Sequence, residues 1–233
     1  KGKLKNNPKN LRTRCCAHIF YKGLSILIDT SPDIKNQFLK NKIRNLDAII
    51  YTHEHADQTS GIFEMRPFYW KNRKKIPVYG SKRTIKSLLS KYTFCFQPKH
   101  GYKPIMKANI ISNNFSIRKK GIELKIKAFD VLHGLIKATG FCFEKIAYIS
   151  DCNHVPKKSL KKLYNLDYLI LDCLRREKHP SHFNYDDALN LIKLLKPKKT
   201  ILTNLHTDLD YDYLKKKLPK NITPGFDGLK FNF

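Results

Sequence analysis

The chain has 233 residues, enough to bury a sizeable core in one large domain or two small ones. Apolar residues make up 41% and aromatics 12%, which excludes a disordered chain in spite of the charge. No apolar run approaches the roughly 20 residues of a membrane span, so no membrane partner is expected. The formal charge is +27, from 46 basic against 19 acidic residues, and 37 of the basic residues are Lys against 9 Arg. Lysine runs most often mark solvated faces, but the sign of the field favours an anionic partner over a cationic one. Six cysteines include no C-x-x-C pair, and most sit in apolar runs such as Phe94-Cys95-Phe96 and Phe141-Cys142-Phe143 that read as strands. With no secretory signal, this composition predicts a reducing, cytoplasmic setting.

In chain order, residues 15–29 predict two strands joined at Gly23, and Pro32 opens a helix that runs to about Ile43. A short buried strand follows over 47–51, then a helix over 61–70, a strand over 77–79, and a helix over 81–92 capped by Ser81. Residues 94–108, with two prolines, read as a loop. Strands are expected near 109–111, 115–118, 122–129, 138–143 and 145–150. The remainder alternates: helix 156–164, strand 167–171, helix 184–195, strand 199–203, helix 211–218, and an extended tail. No linker, fixed-period repeat or low-complexity block interrupts residues 1–233, so a single domain is expected. Two sheets packed face to face with helices outside would bury these strands and leave the charged helix faces wet.

The most informative segment is Tyr51-Thr-His-Glu-His-Ala-Asp-Gln-Thr-Ser-Gly61. His53, His55 and Asp57 alternate directly after a buried strand, and in an extended turn residues i, i+2 and i+4 point the same way. Two imidazoles and a carboxylate form a ligand set for Zn, Mn or Fe; the plain alternative is a polar loop with surface histidines. His133 just past a strand, Asp151 at the end of one, and His206 after 199–203 are lone polar residues where a rigid scaffold carries function. Each alone is more often structural; together they supply the missing ligands. Cys152, beside Asp151 on a strand, faces the other way and is expected to pack.

The series His53-x-His55-x-Asp57, His133, Asp151, His206 resembles the metallo-β-lactamase superfamily, an α/β (α+β) four-layer αββα sandwich. Ile28-Asp-Thr-Ser-Pro-Asp33, Gly61–Arg66, His179-Pro-Ser-His182 and Pro224–Gly228 are similar to its phosphoribosyl 1,2-cyclic phosphate phosphodiesterase branch. That branch usually begins with a Gly-rich strand and turn, which this sequence lacks before Asn7. The resemblance implies two divalent ions, Zn or Mn: His53, His55 and His133 on the first, Asp57 and His206 on the second, Asp151 bridging. Gln58 stands where the branch has a second-site His and offers only a neutral amide oxygen, which puts the second site in question. The implied reaction is hydrolysis of a small anionic phosphodiester by a hydroxide held on the metal. Asp57 would orient the water, His182 would protonate the leaving oxygen, and Arg66, with some of Arg12, Arg14 and Lys22, would clamp the substrate.

The first rival is a ribonuclease Z-like endonuclease on tRNA. That family generally carries a long RNA-gripping arm between the residues matching His133 and Asp151, where this chain has room only for two strands and a turn. RNA is therefore the less favoured partner. Thioester hydrolysis and a degenerate, non-enzymatic nucleic-acid-binding module are further alternatives, the last supported only by Gln58. A homodimer is compatible with all of them.

Overall fold

The computed structural model describes residues 7–98 and 101–233. They fall into two compact units, those of 14–126 in one and those of 7–13 with 127–233 in the other. His100 lies outside the described residues.

In the first unit, the apolar runs flanking Lys22-Gly23 form an antiparallel hairpin, β1 (Ala17–Tyr21) and β2 (Leu24–Ile28), because both turn residues take the left-handed φ the tight turn requires. Strands β3 (Ala48–Ile50), β4 (Ile76–Gly80) and β5 (Met106–Ile110) add in parallel, giving the order β1-β2-β3-β4-β5. Every residue of β2 and β3 is buried, as the unbroken runs LSILI and AII demand. Helix α1 (Ile34–Asn41) starts two residues after Pro32, since Asp33 is its N-cap. The helix expected over 61–70 is three pieces: α2 (Ala56–Thr59), a 3-10 segment (Ser60–Met65) and α3 (Arg66–Asn72). Ser81 caps α4 (Lys82–Lys91) by accepting the Thr84 N–H.

The expected loop 94–108 is corrected at both ends. Thr93–Phe96 is a helical turn (α5), and β5 begins at Met106. Cys95 and Phe96 leave the loop because they are apolar and bury with Ile85, Leu88 and Ile105. Beyond them, β6 (Asn114–Lys119) turns at Lys120-Gly121 into β7 (Ile122–His133).

In the second unit, β8 (Ile136–Phe143), β9 (Ile146–Ile149), β10 (Tyr168–Asp172), β11 (Lys199–Thr203) and β12 (Ile222–Pro224) follow β7 in the order β12-β11-β10-β9-β8-β7, with β6 beyond β7. β8 and β9 are antiparallel; β9, β10, β11 and β12 run parallel. Short α6 (Lys157–Leu160) ends well before Tyr164, and only Ile222–Pro224 of the extended tail is strand. Helix α7 (Tyr185–Leu195), capped by Asn184, buries Ala188, Leu191, Ile192 and Leu195. Helix α8 (Tyr211–Lys217) buries Leu214, and both helices close a core around Leu169, Leu171 and Leu202. The α/β class expected from sequence, two sheets with helices, is what the chain forms.

Candidate active site

In the first unit, the His-rich segment leaves the end of β3 and enters α2. His53 is fully buried, His55 is exposed at the N-cap of α2, and Asp57 is half-buried in its first turn. The two rings meet edge to face with centroids 4.6 Å apart. Behind them stands a buried chain of hydrogen bonds. Asp29, at the end of β2 with φ +63°, accepts the Thr52 N–H (2.8 Å) and the Thr52 hydroxyl (2.8 Å). With that hydroxyl proton committed, Thr52 Oγ1 accepts from His53 Nδ1 (3.0 Å). The proton of neutral His53 is thereby placed on Nδ1, which makes Nε2 the basic nitrogen. The start of α2 is tied to the loop after β2: Thr30 N donates to Gln58 O and Gly61 N to Thr30 O. A Cβ on Gly61 would collide with Ser31 O and lie 2.6 Å from Ile34 Cγ2.

Gln58, the departure from the branch pattern, is buried, and Arg14 Nη1 lies 3.9 Å from Asp57 Oδ2. Arg66 heads α3 with its guanidinium over the Tyr102 ring, 5.4 Å from the centroid.

In the second unit, His133 is the last residue of β7 rather than a residue beyond a strand that ends at 129. Asp151 lies two residues past β9, and His182 precedes α7. One ligand atom from each of His133, Asp151 and His182 falls within 4.8 Å of the others. His133 and Asp151 are buried, and the rings of His133 and His182 are 4.6 Å apart. His133 Nδ1 donates to Ser181 O (2.7 Å), so its Nε2 is the basic nitrogen, as in His53.

His182 Nδ1 donates to Asp172 Oδ2 (2.8 Å), which also accepts the Cys152 N–H (2.9 Å), while Asn204 Nδ2 donates to Asp172 Oδ1 (3.2 Å). Burial pushes the Asp172 carboxyl up, and the bonds from His182, Cys152 and Asn204 only partly offset it. His206 is exposed on the loop after β11, its Nδ1 3.0 Å from Asp208 Oδ1 and its N–H on Leu174 O.

Other side chains have structural work. Cys152 is fully buried among Val155, Leu169 and Leu171, and burial raises its thiol well above the usual range, so it packs as expected. Arg12 donates to the carbonyls of Gly225 and Leu209. Lys22 sits over the Tyr21 ring, and His18 Nε2 contacts Ser25 Oγ. His179 Nδ1 accepts the Ser181 N–H (3.3 Å) and so orients the His179–His182 turn.

Asp29, Thr52, Asp172 and Asn204 escape a reading of the sequence for chemistry. Asp29 lies in the Ile28–Asp33 segment, and Asp172 ends the apolar strand YLILD as a lone polar residue, the same signal that marks Asp151.

Within the second unit the donor set fits a divalent transition metal: the imidazole of His133, with Nε2 made basic by its Nδ1 hydrogen bond, and that of His182, beside the buried carboxylate of Asp151. Residues 25–204 match the family model described as Beta-lactamase superfamily domain, and the chain belongs to the metallo-β-lactamase superfamily. A crystal structure of a diphosphatase from the PhnP family is 31% identical, with a TM-score of 0.86 over 95% of this chain and 84% of that one. Zn²⁺-bound PqqB from Methylobacterium extorquens (16%, TM-score 0.76, 95% and 88% covered) and human tRNase Z, short form (18%, 0.68, 93% and 92%), share the fold. A curated octanoyltransferase of Porphyromonas gingivalis (strain ATCC BAA-308 / W83) is 28% identical over 213 residues. The match takes in 89% of this chain and 42% of that protein, so the chain spans less than half of that relative's length.

Proposed function

We propose that the chain is a metal-dependent phosphodiesterase acting on a small anionic substrate. The observation that carries this is the His182–Asp172 pair placed beside His133 and Asp151. Asp172 holds the proton of His182 on Nδ1 and steadies the ring, which leaves Nε2 to carry a proton to a departing alkoxide. His53, His55, His133, Asp57, Asp151 and His206 would hold one or two divalent ions, Zn or Mn. Such an ion, when bound, supplies charge to the phosphoryl oxygens and lowers the pKa of water. Asp57 would orient the attacking water, and Arg66 would bind a second anionic group of the substrate.

Likeness to a PhnP-family diphosphatase supports a phosphorus ester or anhydride. Only β8 and β9 fill the chain between His133 and Asp151, which favours a small substrate over a folded RNA. No helix among the described residues is long and apolar enough to cross a membrane. All six cysteines are free thiols, which suits the cytoplasmic location that forms part of this proposal.

The test is hydrolysis of bis(p-nitrophenyl) phosphate with added Mn²⁺ or Zn²⁺. His182→Gln should lower kcat by roughly 10²–10⁴-fold with KM little changed. Full activity in that variant and in Asp57→Ala would overturn the roles of both side chains.

A further inference from the structure

Helix α4 carries its charges at the wrong end. Its first turn contains no acidic residue, yet Lys82 and Arg83 occupy its first two positions and Lys86 follows one turn on. These cations face the positive end of the helix dipole, where an anion belongs. Around them lies a cleft of about 630 Å³ lined by four cations (Lys82, Arg83, Lys86 and Lys91), two hydroxyls (Ser87 and Ser90) and one carboxylate, Glu54. Positions 82, 86 and 90 form one row along the helix and 83, 87 and 91 the next, while Thr84, Ile85 and Leu88 face the core.

Two of the four cations are already tied to Glu54. Arg83 Nε donates to its carboxylate at 2.6 Å, and Lys91 Nζ donates to its backbone carbonyl at 3.0 Å. Lys82 and Lys86 are exposed, and among the described residues neither has a carboxylate within 4.0 Å. The cleft thus holds a net charge of about +3 with two lysines to spare, beyond what its own carboxylate neutralises.

We propose that this cleft is a binding site for an inorganic oligophosphate chain. Rows of ammonium groups and hydroxyls suit repeated phosphate oxygens as point charges, while Arg83 already spends its Nε–H on Glu54. No aromatic side chain lines the cleft, so it offers no ring for a base to stack on, which disfavours single-stranded nucleic acid. The site does not depend on the metal-dependent reaction proposed above, since binding rather than turnover reports it.

Isothermal titration of the full chain with sodium tripolyphosphate at about 50 mM NaCl tests it. Lys82→Ala/Lys86→Ala should weaken binding about tenfold or more, with an unchanged circular dichroism spectrum. Lys35→Ala/Lys40→Ala, which removes the same charge from exposed positions on α1, should change it less than about twofold. Equal losses in the two double variants would mean a diffuse field and would overturn the site, as would absence of binding to the parent chain. A single-stranded RNA oligonucleotide serves as the third arm: α4-dependent binding of RNA without α4-dependent binding of tripolyphosphate would also overturn it.

Discussion

A histidine binds a metal only through an unprotonated nitrogen, so the group on its other nitrogen decides how good a ligand it is. His53 owes its orientation to Thr52, and Thr52 owes its polarity to Asp29, all three buried. Thr52→Val removes the hydroxyl but keeps the volume. It takes the Thr52 acceptor away from the His53 Nδ1–H and withdraws one donor from a buried carboxylate. We expect a loss of about 1–3 kcal/mol of stability in urea denaturation. Affinity for Zn²⁺, in competition with a chromogenic chelator, should drop about 10–100-fold. Thr52→Ser should retain most of both; a Val variant as stable and as tight as the parent would refute the relay.

The cysteines make a second prediction at this scale. Cys95, Cys142, Cys152 and Cys173 are buried, and desolvation raises each thiol, that of Cys95 to about 11. Cys15 and Cys16 are half-exposed. Alkylation by iodoacetamide near neutral pH, read by peptide mass spectrometry, should therefore label Cys15 and Cys16 and spare the other four until denaturant is added. Early labelling of Cys152 would contradict its packing role.

At the scale of elements, periodicity and caps are legible wherever one local signal dominates. Strand 199–203 and the Ser81 cap stand where the pattern puts them, and the helix expected from 184 begins one residue later, with Asn184 as its cap. Strand β7 reads short in the sequence because Asp130 interrupts an apolar run. In the folded chain Asp130 points outward and pairs with Lys137 on β8 at 3.0 Å, so the strand continues to His133. The turn Thr93–Phe96 is invisible to the pattern because four residues carry too little periodicity, and only the burial of Cys95 and Phe96 fixes it.

The 3-10 segment after α2 depends on closeness instead of pattern. Gly61 lies where any Cβ meets the Ser31 carbonyl and Ile34. Gly61→Ala should cost about 1–3 kcal/mol, or more, by overpacking, visible as a lower urea midpoint with unchanged slope. Gly101→Ala, with open space around its Cβ but φ +78°, would bear a backbone penalty only. A Gly61→Ala midpoint equal to the parent's would show that the loop after β2 yields freely.

For the whole chain, two features set what sequence can and cannot disclose. The His-x-His-x-Asp cluster is local, so five residues announce it, whereas Asp172 and Asn204 act through His182 from distant strand ends and have no local signature. The division into two units falls within β7, where no Gly-, Pro- or Ser-rich stretch marks it. Net charge, by contrast, is legible at once and has a consequence for stability. With 46 basic and 19 acidic residues, most cations lack a counter-charge, and folding brings them closer than the expanded chain does. Raising NaCl from about 0.01 M to about 0.1 M shortens the Debye length from about 30 Å to about 10 Å and screens this repulsion. The few exposed ion pairs, such as Arg118–Glu123 and Lys198–Asp167, are weakened by the same salt, but each is worth at most about 1 kcal/mol. Repulsion among 27 uncompensated charges should outweigh them, so the melting temperature should rise with salt, by roughly 2–4 °C for each kcal/mol gained. A thermal scan by circular dichroism decides the sign: a fall would mean that paired charges, not the excess, govern the electrostatics of the fold.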